Sequence, residues 1–138
     1  MKHIITSIIL LNCYLLHAQK TYVPDNNFEQ ALIDAGYDDA LDDSVLTATI
    51  SAVSSLYLEN KNISDLTGIE DFSNLSYLRV HSNGLASIDL SSNPSLSHLN
   101  LYNNDFTTLD VSNNPLLTYL NLSSNDLTTL DVSNNPLL

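Results

Sequence analysis

Basic residues are scarce in this chain. It carries 4 Lys and Arg against 16 Asp and Glu, a formal net charge of −12. Past residue 18 the only basic residues are Lys20, Lys61 and Arg79, while every acid remains. Such a surface is repelled by phosphate backbones and anionic lipid headgroups, which excludes nucleic-acid binding. Cysteine is limited to Cys13, so the rest of the chain has no disulfide staples and no thiolate metal site. Only 3 glycines are present, and no glycine-rich phosphate loop is among them. No serine–histidine–acid order stands out either. The chain is therefore read as non-enzymatic, with no cofactor and no metal ligand set.

Long apolar runs are equally rare. One follows Met1-Lys2-His3, as "IITSIILLNCYLL" to Leu16, and then "HAQK". A short basic head, an apolar stretch and a small residue at Ala18 predict a secretory signal peptide over 1–18, cleaved after Ala18. The run is too short, and too interrupted by Asn12, to span a membrane, so no membrane insertion is expected after cleavage. Cys13, with Leu10 three positions earlier, also admits a lipid anchor, although Asn12 is bulky for that role and apolar residues continue past it. The predicted localisation is secreted or cell-surface.

What is abundant is repetition. Leu75, Leu96, Leu117 and Leu138 are spaced by 21 residues. The same step links Leu78, Leu99 and Leu120, then Asn83, Asn104 and Asn125, then Pro94, Pro115 and Pro136. "LDVSNNPLL" occurs letter for letter at Leu109–Leu117 and again at Leu130–Leu138. Fixed self-similarity of this kind is the signature of a stacked-coil architecture. The unit also contains itself. "LRVHSN" from Leu78 and "IDLSSN" from Ile88 share the form L-x-L-x-x-N, which predicts two short strands on opposite sides of each coil. In each, the apolar pair faces the axis and its neighbours face out. Asn83, Asn104 and Asn125 after the first strand, and Asn93, Asn114 and Asn135 after the second, are expected to stack as a structural ladder serving turn backbone.

The pattern L-x-x-L-x-L-x-x-N-x-L-x-x-L-D-V-S-N-N-P resembles the leucine-rich repeats, and within them the short nested type of secreted and surface proteins of Bacteroidetes-like bacteria. The resemblance covers roughly residues 54–138, about four coils. "LYLENKNISDLTGIEDFSNL" departs from it, lacks the second L-x-L-x-x-N, and looks like an internalin-type repeat. The implied fold is a leucine-rich-repeat solenoid with parallel strands. Residues 19–53 are not repetitive. Asn26 with Glu29 suits a capping box, Phe28, Ala31, Leu32 and Ala35 recur at helical spacing, and Gly36 closes the helix. A second helical turn is expected within residues 44–50. This segment reads as a helical N-terminal cap over the first coil, similar to the cap seen with such repeats.

Repeats allow coils to be compared with one another. Positions that only build the coil should recur, whereas binding positions should vary. The outward residues of the second side are monotonous: Ser87-Asp89-Ser91, Thr108-Asp110-Ser112, Thr129-Asp131-Ser133. Those of the first side vary: Ser55-Tyr57-Glu59, Tyr77-Arg79-His81, His98-Asn100-Tyr102, Tyr119-Asn121-Ser123. Coil spacing of about 4.8 Å places Tyr77, His98 and Tyr119 in one column of rings. It sets Tyr57 against Arg79 for a cation–π contact, and Glu59 beside His81, which favours a protonated imidazole. Tyr57, Glu59, Tyr77, Arg79, His81, His98, Asn100, Tyr102, Tyr119 and Asn121 are the candidate ligand-binding residues. The resemblance puts them on the concave side, where a protein or glycan docks. The same rings also suit cross-strand stacking alone.

Asp89, Asp110 and Asp131 in line, and "DDALDD" over Asp38–Asp43, invite calcium. The aspartates face solvent, however, and "DDALDD" lacks an EF-hand glycine, so both read as solvated acidic faces. The predicted function is a non-catalytic recognition module. A spacer or adhesin stalk, or an accessory module of a longer surface enzyme, are the alternatives. Leu137 and Leu138 call for a further coil beneath them, so the chain is read as a fragment whose bare last coil is open to self-association.

Overall fold

In a computed structural model, residues 18–138 are described. The expected signal segment, apart from Ala18, and Cys13 lie outside the described residues. From the chain's start the elements are β1 (Lys20–Tyr22), α1 (Asn26–Asp34), β2 (Ser44–Leu46), α2 (Thr47–Ile50), β3 (Ser55–Tyr57), a 3-10 turn (Ile69–Asp71), β4 (Tyr77–Arg79), β5 (His98–Asn100) and β6 (Tyr119–Asn121). Strands β3-β4-β5-β6 form one parallel sheet in that order. Its register puts Leu56, Leu78, Leu99 and Leu120 in line, so the middle residue of every strand enters the core. Leu58, Val80 and Leu101 follow on the same side, as period-two alternation requires. Leu75, Leu96 and Leu117 close the core from the other end of each coil, all fully buried. The leucine spacing has become a stack of apolar layers.

The chain leaves each strand through a residue in the left-handed region: Asn60, Ser82, Asn103 and Ser124, with φ between 54° and 58°. The next coil's asparagine then holds this bend. Asn104 Nδ2 donates to Val80 O (3.1 Å) in the coil before and to Leu101 O (3.0 Å) in its own, while Oδ1 accepts Leu85 N–H (3.1 Å). Asn83 and Asn125 repeat this, donating to Leu58 O (2.8 Å) and Leu101 O (2.9 Å). The column therefore bonds asparagine to main chain, coil to coil, rather than asparagine to asparagine.

The second side differs from the expectation of a second strand per coil. Residues 88–90, 109–111 and 130–132 carry no strand. Leu90 O already accepts Asn93 N–H (3.1 Å) and Asn114 Nδ2 (3.0 Å), and Val111 O accepts Asn114 N–H (3.0 Å) and Asn135 Nδ2 (2.9 Å). Asp89, Asp110 and Asp131 each take the N–H two residues on (2.9 Å), which bends the backbone out of the extended form. With acceptors taken by turns and ladder side chains, no strand-to-strand ladder forms there. The coils are sheet on one side and stacked turns on the other.

The N-terminal segment packs against residues 64–72 of the first coil. β1 pairs with β2 antiparallel. The expected second helical turn is split: 44–46 is strand, and only Thr47–Ile50 is helical. The cap of α1 also differs from the expected Asn26–Glu29 box. Asp25 is the capping residue, with Oδ1 accepting Asn27 N–H (2.9 Å) and Phe28 N–H (3.0 Å). Its Oδ2 accepts Ser64 N–H (2.8 Å), Ser64 O–H (2.9 Å) and Asp65 N–H (3.1 Å), so one carboxylate ties the helix to the first coil. Glu29 turns away into the 38–44 loop instead. At the other end Gly36, at φ 80°, lets its own N–H reach Ile33 O and that of Tyr37 reach Leu32 O (both 2.9 Å). Phe28 packs on Phe72 of the first coil, with ring centroids 6.3 Å apart. Gly68, at φ 105°, passes so close to β1 that a Cβ there would lie 2.8 Å from Tyr22 O.

Candidate functional site

The parallel register assembles the outward strip in columns. Ser55, Tyr77, His98 and Tyr119 are mutual partners, and so are Tyr57, Arg79, Asn100 and Asn121. Strands this short are held by their neighbours, and the inward leucine at each centre, buried in β3, β4 and β5 and half-buried in β6, leaves both flanking side chains outward. Sequence alternation alone therefore sets which residues are presented.

In the first column the rings lie flat on one another. Tyr77 and His98 have centroids 4.1 Å apart and planes 8° apart; His98 and Tyr119 are 4.1 Å and 2°. Tyr57 joins from the neighbouring column, tilted 43° on Tyr77 at 5.5 Å. Faces stacked this closely exclude water between them, leaving ring edges and polar tips for solvent. Burial between two rings, and secondarily the Arg79 charge, hold the His98 imidazole below its usual pKa.

The second and third columns carry the strip's charge. Arg79 lies over the Tyr57 ring, its guanidinium carbon 5.9 Å from the centroid. Its Nη2 reaches Glu59 Oε1 at 3.3 Å and His81 Nε2 also at 3.3 Å. The expected Glu59–His81 pairing is thus replaced by a Glu59–Arg79 ion pair with Arg79 between them. Since guanidinium only donates, His81 Nε2 accepts there. Arg79 reaches both because its stem is long enough to lean along the sheet, which strand spacing alone does not show. Tyr102 lies edge-on to His81 at 6.3 Å and is 40% exposed. Asn100 and Asn121 direct Oδ1 to the N–H of Tyr102 and Ser123 (both 3.1 Å), shaping the turn after each strand. The structure thus brings Tyr57, Glu59, Tyr77, Arg79, His81, His98, Tyr102 and Tyr119 into continuous contact, while Asn100 and Asn121 serve the turn as well as the face.

The second side presents Asp89, Asp110 and Asp131, all exposed. Hydrogen bonds from the serine two residues on hold each carboxyl below the usual range; for Asp110 the flanking Asp89 and Asp131 charges act in the opposite direction. Among the described residues no group of three or more His, Cys, Asp or Glu side chains is placed to hold a metal ion. No helix among them is long and apolar enough to cross a membrane.

No family model matches the chain, and no curated protein matches it. Solved structures do. The functional domain of InlJ from Listeria monocytogenes, which includes a cysteine ladder, is 34% identical with a TM-score of 0.63, over 88% of this chain and 32% of that one. An internalin, InlF, from L. monocytogenes strain 4b F2365 matches with a TM-score of 0.68 at 22% identity, over 83% of this chain and 38% of that one, a likeness of fold. The chain spans about a third of the length of each. Its architecture is an internalin-like leucine-rich-repeat solenoid.

Proposed function

We infer that this protein is a secreted or cell-surface recognition module that binds a protein or glycan partner through the outward, concave strip of its parallel sheet. The observation that carries this reading is the contrast between the two sides of the coil. The turn side repeats Ser/Thr-Asp-Ser in every nested coil, whereas the sheet side changes residue from coil to coil and concentrates Tyr57, Tyr77, His81, His98, Tyr102 and Tyr119. Rings with polar tips give large contact area at low entropic cost, which is why recognition surfaces favour them. The InlJ likeness supports the same class of role, and no chemistry is assigned to the chain. Residues 19–53 act in this reading as the cap, and 54–138 as the binding array.

A second reading is favoured by the Tyr77–His98–Tyr119 stack itself, because rings 4.1 Å apart also stiffen a sheet. In that case the module is a spacer or stalk, or the arm of a longer surface enzyme. Changing Tyr77, His98, Tyr102 and Tyr119 to serine separates the two. Loss of ligand capture from envelope or host extracts with an unchanged circular-dichroism spectrum supports recognition. Capture equal to wild type would move the function off the strip.

A further inference from the structure

The ladder asparagines differ in the residue that follows each. Asn93, Asn114 and Asn135 precede proline, and Asn104 and Asn125 precede aspartate. Asn83 precedes Gly84, and the sequence holds no other Asn-Gly pair. An asparagine side-chain amide is open to attack by the main-chain nitrogen of the next residue, which closes a succinimide. Proline has no N–H to give up and a Cβ hinders the approach, so glycine permits the closure best. The fold does not call for glycine at this position. Gly84 is exposed and its φ lies outside the left-handed region. A Cβ there would meet Ile63 O at 3.8 Å and Asp105 Oδ2 at 3.9 Å, both ordinary contacts. Its N–H bonds to Ile63 O (2.9 Å), just as Asp105 and Asp126 in the following coils bond to Leu85 O and Phe106 O (both 2.9 Å). What the fold does is restrain the reacting groups. Asn83 Nδ2 donates to Leu58 O (2.8 Å) and Val80 O (2.9 Å), while Oδ1 accepts Lys61 N–H and Ile63 N–H (both 3.0 Å). Cyclisation requires Gly84 to release its bond and the amide to leave the main chain of two coils at once.

We propose that Asn83 is a self-modification site, silent while the first two coils are closed and reactive once they open. In the opened chain Gly84 N bonds to Asn83 Cγ, the Cγ–Nδ2 bond breaks, and the amide departs as ammonia with the proton that Gly84 N loses. Water then opens the imide. Addition at Cγ gives aspartate, and addition at the main-chain carbonyl gives isoaspartate. Neither product rebuilds the ladder. Aspartate turns an oxygen toward the Leu58 and Val80 carbonyls, and isoaspartate adds a methylene to the main chain. A molecule that stays open long enough to react therefore cannot close as before, which makes opening at this end of the solenoid irreversible. The site sets the working life of the module, whatever its sheet binds.

The test incubates the purified chain at mildly alkaline pH, folded in buffer and unfolded in urea. Mass spectrometry follows the Asn83 peptide, with fragmentation that separates isoaspartate from aspartate. In urea Asn83 should convert ahead of every other ladder asparagine, with isoaspartate in excess. In the folded chain conversion should be slower by at least about tenfold, because only the open fraction reacts. Urea below the unfolding transition should speed it in step with hydrogen exchange at the Gly84 amide. Gly84→Ala should slow conversion in urea several-fold and keep the wild-type circular-dichroism spectrum in buffer. Converted chain returned to buffer should melt lower than unconverted chain treated alike. Conversion as fast in the folded chain as in urea, an equal rate in Gly84→Ala, or another ladder asparagine reacting first would overturn the site. Converted chain that regains the wild-type melting temperature would overturn its consequence.

Discussion

Asn104 and Val80 lie 24 positions apart in sequence and are joined by a 3.1 Å hydrogen bond from side-chain amide to main-chain carbonyl. Through it, and through Leu101 O and Leu85 N–H, one asparagine satisfies main-chain groups of two coils where neither sheet nor water reaches. Replacing Asn104 with alanine leaves the Leu85 N–H without its partner and takes one of two side-chain donors from Val80 O and from Leu101 O, which keep Asn83 Nδ2 and Asn125 Nδ2. At about 1–3 kcal/mol for a buried group left unpaired, a loss of about 2 kcal/mol is expected in urea unfolding. Asn104→Asp should be at least as damaging, since a carboxylate keeps the acceptor but is buried with an oxygen facing the Val80 and Leu101 carbonyls. Asn113→Ala, at an exposed neighbour of the other column, should cost under about 0.5 kcal/mol.

The Asp25 carboxylate gives a pH-dependent prediction. Burial raises its pKa, but hydrogen bonds from Ser64, Phe28 and Asp65 outweigh this and hold it below the usual value. A folded-state pKa below the unfolded one contributes stability that is complete above about pH 4 and is lost as pH falls through the folded value. Asp25→Ala should cost about 1–2 kcal/mol at pH 7, in the range of a lost helix cap. Thermal melts of wild type and variant should converge as pH is lowered from 5 to 2. Hydrogen exchange should show α1 opening more readily in the variant.

His98 gives a second titration. Its imidazole is held below 6.5 by burial between Tyr77 and Tyr119, and then by Arg79. The folded chain therefore binds its proton less readily than the unfolded one. The neutral ring's contribution is complete above pH 6.5 and declines as pH falls through the folded value. In an NMR titration the His98 ring protons should have a midpoint below 6.5. Arg79→Gln should move that midpoint upward, and an unchanged midpoint would leave burial as the whole cause.

How much of this was legible beforehand varies by element. The 21-residue leucine step told which side chains enter the core, because stacked parallel strands allow one inward direction per position. The ring column was legible for the same reason: Tyr77, His98 and Tyr119 occupy one repeat position, and equal repeat positions become neighbours about 4.8 Å apart. The second strand was not. "IDL" and "LDV" alternate as a strand does, but the aspartate's bond to the amide two residues on bends the chain, and the carbonyls it would have offered are taken by Asn93, Asn114 and Asn135.

Local pattern thus set the periodicity, the core and the outward strip, since each depends only on residues one coil apart. Contacts between unlike segments followed no repeat and came from packing. Asp25 rather than Asn26 caps α1 because the same carboxylate also meets Ser64 of the first coil. Glu29 turned inward because the amides of Asp42 and Ser44 arrived there to meet it, leaving its second oxygen buried without a donor among the described residues. Arg79 settled between Glu59 and His81 because its long side chain could bridge two columns that strand register keeps apart. Repetition can be read along one dimension; a carboxylate's partners are chosen in three.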